Sequence, residues 1–221
     1  MIEALIFDMD GLLIDSEGLA SGAMDRFLER YGLERRADIH RQLLGRRLPE
    51  AIRIVRDAYQ LDHPLQQLID EYGEMRVEAL RGAVKPMPGA AEIIALGRSA
   101  GLKIALATSG LRQHATISLE ETGLTGLFDV EVTGDEVDHG KPAPDLFLRA
   151  AERLNVKPDH CVVFEDAPNG VAAARAAGML VVAIPNDTSR VHDFPVAADV
   201  VLPDLLAGAE WLAQQGVSKR V

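Results

Sequence analysis

The sequence predicts an α/β protein, a Rossmann-like parallel sheet with an all-helical segment inserted after its first strand. Three observations lead there. Apolar runs of strand length alternate with helix-patterned stretches over most of the chain. Most of the runs are apolar throughout, as strands covered on both faces require. Between the first run and the second, from about residue 16 to residue 85, no strand pattern occurs and helical spacing recurs.

The elements follow in order. "ALIF" (Ala4 to Phe7) is the first buried strand. Leu19, Ala23, Phe27 and Tyr31 then keep helical spacing up to Gly32. Ile52, Val55 and Tyr59 repeat the pattern, as do Leu65, Leu68, Ile69, Tyr72, Met75 and Leu80. A crossover between parallel strands needs only one helix. This segment offers about four, so residues 16–85 are expected to form a small second unit. Residues 1–15 and 86–221 would then form the core, with joints near Asp15 and in "VKPMPG" (Val84 to Gly89). Strands are expected at "LKIALA" (Leu102 to Ala107), "CVVFE" (Cys161 to Glu165) and "LVVAI" (Leu180 to Ile184). "FDVEVT" (Phe128 to Thr133) alternates and "DVVL" (Asp199 to Leu202) is short, so both belong near a sheet edge. Helices are expected from Pro88 to Ala100, from Pro144 to Leu154 and from Pro168 to Ala177, two of them stopping at Gly101 and Gly178.

Composition narrows the partners. Of 221 residues, 48% are hydrophobic and 26% charged, which is ordinary globular usage. The formal net charge of −11 argues against nucleic acid or an anionic membrane as a partner of the whole surface, but not against a small anion in one positive pocket. No apolar run approaches the roughly 20 residues of a membrane helix. The acidic start "MIEALIFDMD" lacks the basic region expected of a signal peptide, so none is expected. The single cysteine, Cys161, fits a reducing compartment, and within "CVVF" it reads as a buried hydrophobe. A cytoplasmic protein, monomeric or dimeric, is the expectation.

In an open parallel sheet, ligands bind outside the carboxyl ends of the strands. Asp8 and Asp10 follow the first strand, Thr108, Ser109 and Gly110 the second, and Glu165 and Asp166 the fourth. Lys141 lies in a Gly-Lys-Pro loop. Crowded carboxylates repel one another unless a cation offsets them. With oxygen donors and no Cys or His at metal spacing, Mg²⁺ is the expected ion. A carboxylate can accept a phosphoryl group, and a second acid nearby can move the proton.

"DMDGLLIDSE", "TSG", "GKPAPD" and "FEDAPNG" resemble the four motifs of the haloacid dehalogenase superfamily, in the order and spacing of its helical-cap branch. The resemblance covers nearly the whole chain. It implies Asp8 as nucleophile and Asp10 as general acid/base, with the Asp10 backbone carbonyl on Mg²⁺. It implies Thr108, with Ser109 beside it, and Lys141 on the phosphoryl group. Asp166 would be a metal ligand and Glu165 a ligand or its supporting partner. The inserted helices would be a mobile cap over a small phosphorylated substrate.

Within that family the residues favour a phosphatase. An acid at position 10 suits an oxygen leaving group better than a halide or a carbon. β-Phosphoglucomutase-like members tend to carry a His where this chain has Ala20, and Ser-Lys-Asn where it has Gly110, Leu111 and Arg112. A weaker second anion site is expected from Arg112 with Arg46 or Arg47. A phosphomutase is the alternative. A phospho-accepting receiver domain and a catalytically silent binding protein rank below it. Arg53, Arg76 and His114 are expected at the surface. Asp145 should support a helix start, and Asn169 and Gly170 either orient Asp166 or shape its turn.

Overall fold

The computed structural model describes residues 1–43, 45–186 and 197–217. Its centre is a six-stranded parallel sheet. The strands, in spatial order, are β5 (Val130–Val132), β4 (Lys103–Ala107), β1 (Ala4–Phe7), β6 (Cys161–Glu165), β7 (Leu180–Ala183) and β8 (Val200–Val201). The expected strands therefore form, and the two expected near an edge are the two edges.

The period of two along each strand divides the core. Leu5, Phe7, Ile104, Leu106, Val162, Phe164 and Val182 face one side, beneath α5 (Ala90–Ser99) and α9 (Leu205–Gln214). Ala4, Ile6, Ala105, Ala107, Val163, Val181 and Ala183 face the other, beneath α7 (Asp145–Leu154) and α8 (Pro168–Ala176). Phe7 and Phe164 stack at 5.1 Å across the central pair. Burying each such large apolar side chain is worth about 1.5–3 kcal/mol.

The inserted helices are α1 (Glu17–Glu29), α2 (Ala37–Leu43), α3 (Leu48–Tyr59) and α4 (Leu65–Leu80). They have an apolar cluster of their own, built on Phe27, Leu28, Ile52, Val55, Leu68 and Tyr72. Two strands absent from the sequence reading flank them. β2 (Ile14–Asp15) and β3 (Lys85–Pro86) pair antiparallel, with Ile14 opposite Pro86 and Asp15 opposite Lys85. No helix among the described residues is long and apolar enough to cross a membrane.

Two helices also went unread. In α9, "LLAGAEWLAQ" is apolar nearly all round, so no stripe stands out. In α6 (Arg112–Thr122) the buried positions include His114 and Ser118, which break the apolar pattern. His114 is therefore not at the surface. It is buried, and its Nε2 donates to the Gly73 carbonyl of α4 at 3.1 Å. Its Nδ1 has no hydrogen-bond partner among the described residues.

Burial pushes the His114 imidazole down to about 4, and the nearby Arg76 adds to the effect. The unfolded chain takes up this proton near pH 6.5, the folded one only near 4. Stability from His114 is thus complete above 6.5 and is lost progressively as pH falls toward 4. By pH 5 the loss is about 2 kcal/mol. Urea unfolding at pH 7 and pH 5 should show wild type losing that much more than His114→Asn. Equal losses would remove His114 as the source.

Candidate functional site

The site lies at the carboxyl ends of β1, β4 and β6, roofed by the inserted helices. Asp8 leaves β1 with its N–H still on the Phe164 carbonyl at 3.1 Å, so the sheet ladder fixes its direction. Thr108 leaves β4 in the same way, its N–H on the Val132 carbonyl at 3.0 Å. Asp8, Thr108, Lys141, Glu165 and Asp166 are all buried.

Lys141 reaches in from the loop before α7. Its Nζ donates to Asp8 Oδ1 at 2.5 Å and to Glu165 Oε1 at 2.6 Å. It also stands 4.9 Å from the centre of the Phe147 ring. Burial works against the ammonium, but the two carboxylates outweigh it and hold the lysine above its usual range. Asp8 goes up to about 7. Burial is the main cause, opposed by Lys141 and reinforced by Glu165. Asp166 is raised well above the usual carboxylate range, by burial and then by Glu165 and Asp8.

The other carboxylates have separate duties. Glu165 accepts from Lys141 on one oxygen and from the Ala167 N–H, at 2.8 Å, on the other. Gly170 makes room for it, since a Cβ there would overlap the Glu165 carboxylate. Gly170 thus seats Glu165 rather than orienting Asp166. Asp166 Oδ2 accepts from Asn186 at 2.7 Å. Asp10 Oδ1 accepts from the Ser16 hydroxyl at 2.6 Å and from Arg76 at 3.3 Å.

Sequence reasoning missed both partners of Asp10. Ser16 is the N-cap of α1, yet its hydroxyl makes no cap bond and goes to Asp10 instead. Arg76 was expected at the surface, but it is half-buried and lines the cavity. Its position, one turn after Tyr72 on the buried stripe of α4, was the available signal.

These residues line a cavity of about 140 Å³. Its floor carries Asp8, Asp10, Thr108, Ser109, Glu165 and Asp166. Its roof is largely apolar, from Ala20, Met24, Leu43, Leu48 and Tyr72, with Arg46 at the edge. The Arg46 Nε donates to the Gln42 carbonyl at 2.8 Å, and among the described residues its guanidinium forms no ion pair. The Ser109 hydroxyl donates to the Gly45 carbonyl of the roof at 3.0 Å.

The second anion site expected from Arg112 with Arg46 or Arg47 is not assembled. Arg112 is outside the cavity, paired with Glu131 at 2.9 Å and with Glu136. Arg47 is also outside it, paired with Glu50 at 2.5 Å. Each of these two charges is already answered by a nearby carboxylate, and of the three expected arginines Arg46 lines the cavity. Arg53 is exposed, as expected. Asp145 opens α7 and pairs with His139 at 2.9 Å.

Among the described residues, no three acidic, His or Cys side chains already converge as a closed metal cage. The donor chemistry still fits Mg²⁺. Asp8 and Asp166 are two buried acids with raised pKa values, a condition that a divalent cation would relieve. Mg²⁺ is commonly held by one or two carboxylates, with waters and substrate phosphate completing the shell. Glu165 accepts one protein donor on each oxygen, and one of these is the Lys141 ammonium.

The family model described as haloacid dehalogenase-like hydrolase matches residues 2–178. A "Phosphorylated carbohydrates phosphatase" from Thermotoga maritima is 39% identical over 178 residues, spanning 80% of this chain and 82% of the relative. A "Probable pseudouridine-5'-phosphatase" from Drosophila melanogaster is 38% identical over 190 residues, spanning 82% of this chain and 80% of the relative. The crystal structure of CbbY from Rhodobacter sphaeroides in complex with phosphate superposes with a TM-score of 0.82. It is 29% identical and covers 95% of this chain and 100% of that one.

Proposed function

The chain belongs to the haloacid dehalogenase-like hydrolases and is a phosphatase of that family, and we propose that it hydrolyses a small phosphorylated metabolite through a phosphoaspartate on Asp8, with Mg²⁺ as cofactor. One observation carries the reading. A buried acid, Asp8, is held by a buried lysine on the floor of a cavity, with a second acid, Asp10, two residues away.

In the first step a carboxylate oxygen of Asp8 attacks phosphorus and the bond to the leaving oxygen breaks. Asp10 gives that oxygen its proton, so an alcohol departs. In the second step Asp10 takes a proton from water, the water oxygen attacks phosphorus, and phosphate leaves Asp8. Lys141 and the Thr108 hydroxyl hold the phosphoryl oxygens, as the backbone of Ser109 does. Asp8, Asp166 and the Asp10 carbonyl would hold Mg²⁺, which offsets the negative charge of acids and phosphoryl group together. Residues 16–85 act as a cap that excludes water during the first step.

The named relatives differ in the size of their leaving groups, so the cavity is the better guide to the substrate. At about 140 Å³ beneath an apolar roof, it favours a compact phosphomonoester, such as the phosphate of a short sugar. Arg46 is available for one further anionic or hydroxyl group on it. A panel of phosphorylated metabolites, assayed for phosphate release and for isomerisation, tests the reading. Release should dominate, and dominant isomerisation of glucose 1-phosphate would make the protein a mutase. Chelation with EDTA should reduce release to background, and millimolar Mg²⁺ should restore it. Undiminished release after chelation would remove the metal from the mechanism.

A further inference from the structure

Arg47 stands at the start of α3, in the roof, but its side chain points into the floor. All five of its N–H donors are used, three of them on the core. Nε and one Nη2 hydrogen go to Glu50, at 2.8 and 2.5 Å. Nη1 donates to the carbonyls of Val137 at 2.7 Å and Gly134 at 3.4 Å, and Nη2 to that of Asp138 at 3.0 Å. Three of the four acceptors are thus backbone carbonyls of one core loop, while Glu50 neutralises the charge from its own helix. The loop is shaped for the arginine stem. A Cβ at Gly140 would come 2.7 Å from Arg47 Nε, 2.8 Å from Cγ and 3.0 Å from Cδ. The residue after Gly140 is Lys141, whose ammonium sits on Asp8.

We propose that Arg47 is a positioning residue that couples closure of the helical segment to the placement of Lys141. This rests on the phosphatase reading above. Closing brings the guanidinium onto the loop 134–140, and the loop then delivers Lys141 to the phosphoryl site. Opening frees the three carbonyls and loosens the lysine. A planar fork with five fixed donors can bridge three carbonyls of one loop, whereas an ammonium group cannot span them. Arg47→Lys should therefore fail to rescue.

Three variants test this: Arg47→Ala, Arg47→Lys and Gly140→Ala. The last expels the stem without removing a donor, and Gly140 does not have the positive φ that would strain an alanine. The first readout is amide exchange of the segment 134–141 in protein without substrate or metal. Exchange there should rise about tenfold in all three variants, with the central strands unchanged. The second readout is steady-state hydrolysis of p-nitrophenyl phosphate. kcat should fall about 10- to 100-fold with KM nearly constant. Unchanged exchange in both Arg47→Ala and Gly140→Ala overturns the coupling, whatever the kinetics. A raised KM with full kcat also overturns it, since Arg47 would then be a substrate ligand. If wild type hydrolyses no phosphomonoester, the phosphatase reading fails, and the exchange readout still decides whether Arg47 holds the loop.

Discussion

Asp8→Asn should lower phosphate release by about 10⁴-fold or more while leaving the protein folded. The amide keeps the shape of the carboxylate and still offers Lys141 an oxygen, but it is too weak a nucleophile to take a phosphoryl group. The cost to the fold should be small for a specific reason. Burial already raises Asp8 to about 7, so its ionised form is only partly favoured at neutral pH. A neutral amide in that place removes a charge that the interior resists. Melting temperature and phosphate release should be measured on the same preparation. Wild-type turnover in a folded Asp8→Asn protein would end the case for Asp8 as nucleophile.

The second large effect belongs to Lys141. Lys141→Met should stop turnover and cost about 3–5 kcal/mol of stability, because one change leaves two buried acids without their cation. Its pH dependence has a definite sign. An acid whose folded pKa is raised loses stability as pH climbs from its unfolded value through its folded one. In wild type that loss from Asp8 levels off above pH 7, once the pH has passed its folded pKa. Without the ammonium that opposes the shift, Asp8 in the variant stays protonated to higher pH. The stability gap should therefore widen as pH rises past 7. Urea unfolding at pH 6, 7 and 8.5 would show it, and a constant gap would mean that Lys141 acts through packing alone.

The floor of the site was legible in the sequence because chain position encodes spatial position there. Asp8, Thr108, Glu165 and Asp166 lie at or just after the end of an apolar run, and parallel strands bring all such points to one edge. Asp8, Thr108, Glu165 and Asp166 need only that rule to meet, and the structure brings them together. The roof has no such rule. Arg46 and Arg47 are adjacent, yet one lines the cavity and the other turns away to the Lys141 loop. Which side each takes depends on carbonyls some ninety residues further along the chain. Arg76 and His114 were misplaced for a related reason. A polar residue on a helix reads as solvated until its helix packs against another, and α4 packs against α6. The two strands that flank the insert were missed because two residues cannot show a period.

That short pairing of β2 with β3 has an evolutionary meaning. The chain enters the insert past Ile14 and Asp15 and comes out of it at Lys85 and Pro86, and these residues pair side by side. An insert whose two ends meet can be lengthened, repacked or replaced without moving either end of the host. If α1 to α4 set the substrate, as proposed above, rewriting them would change it while the floor stays fixed. Protein engineers could use the same junction, cutting between Ile14 and Pro86 and grafting another helical lid.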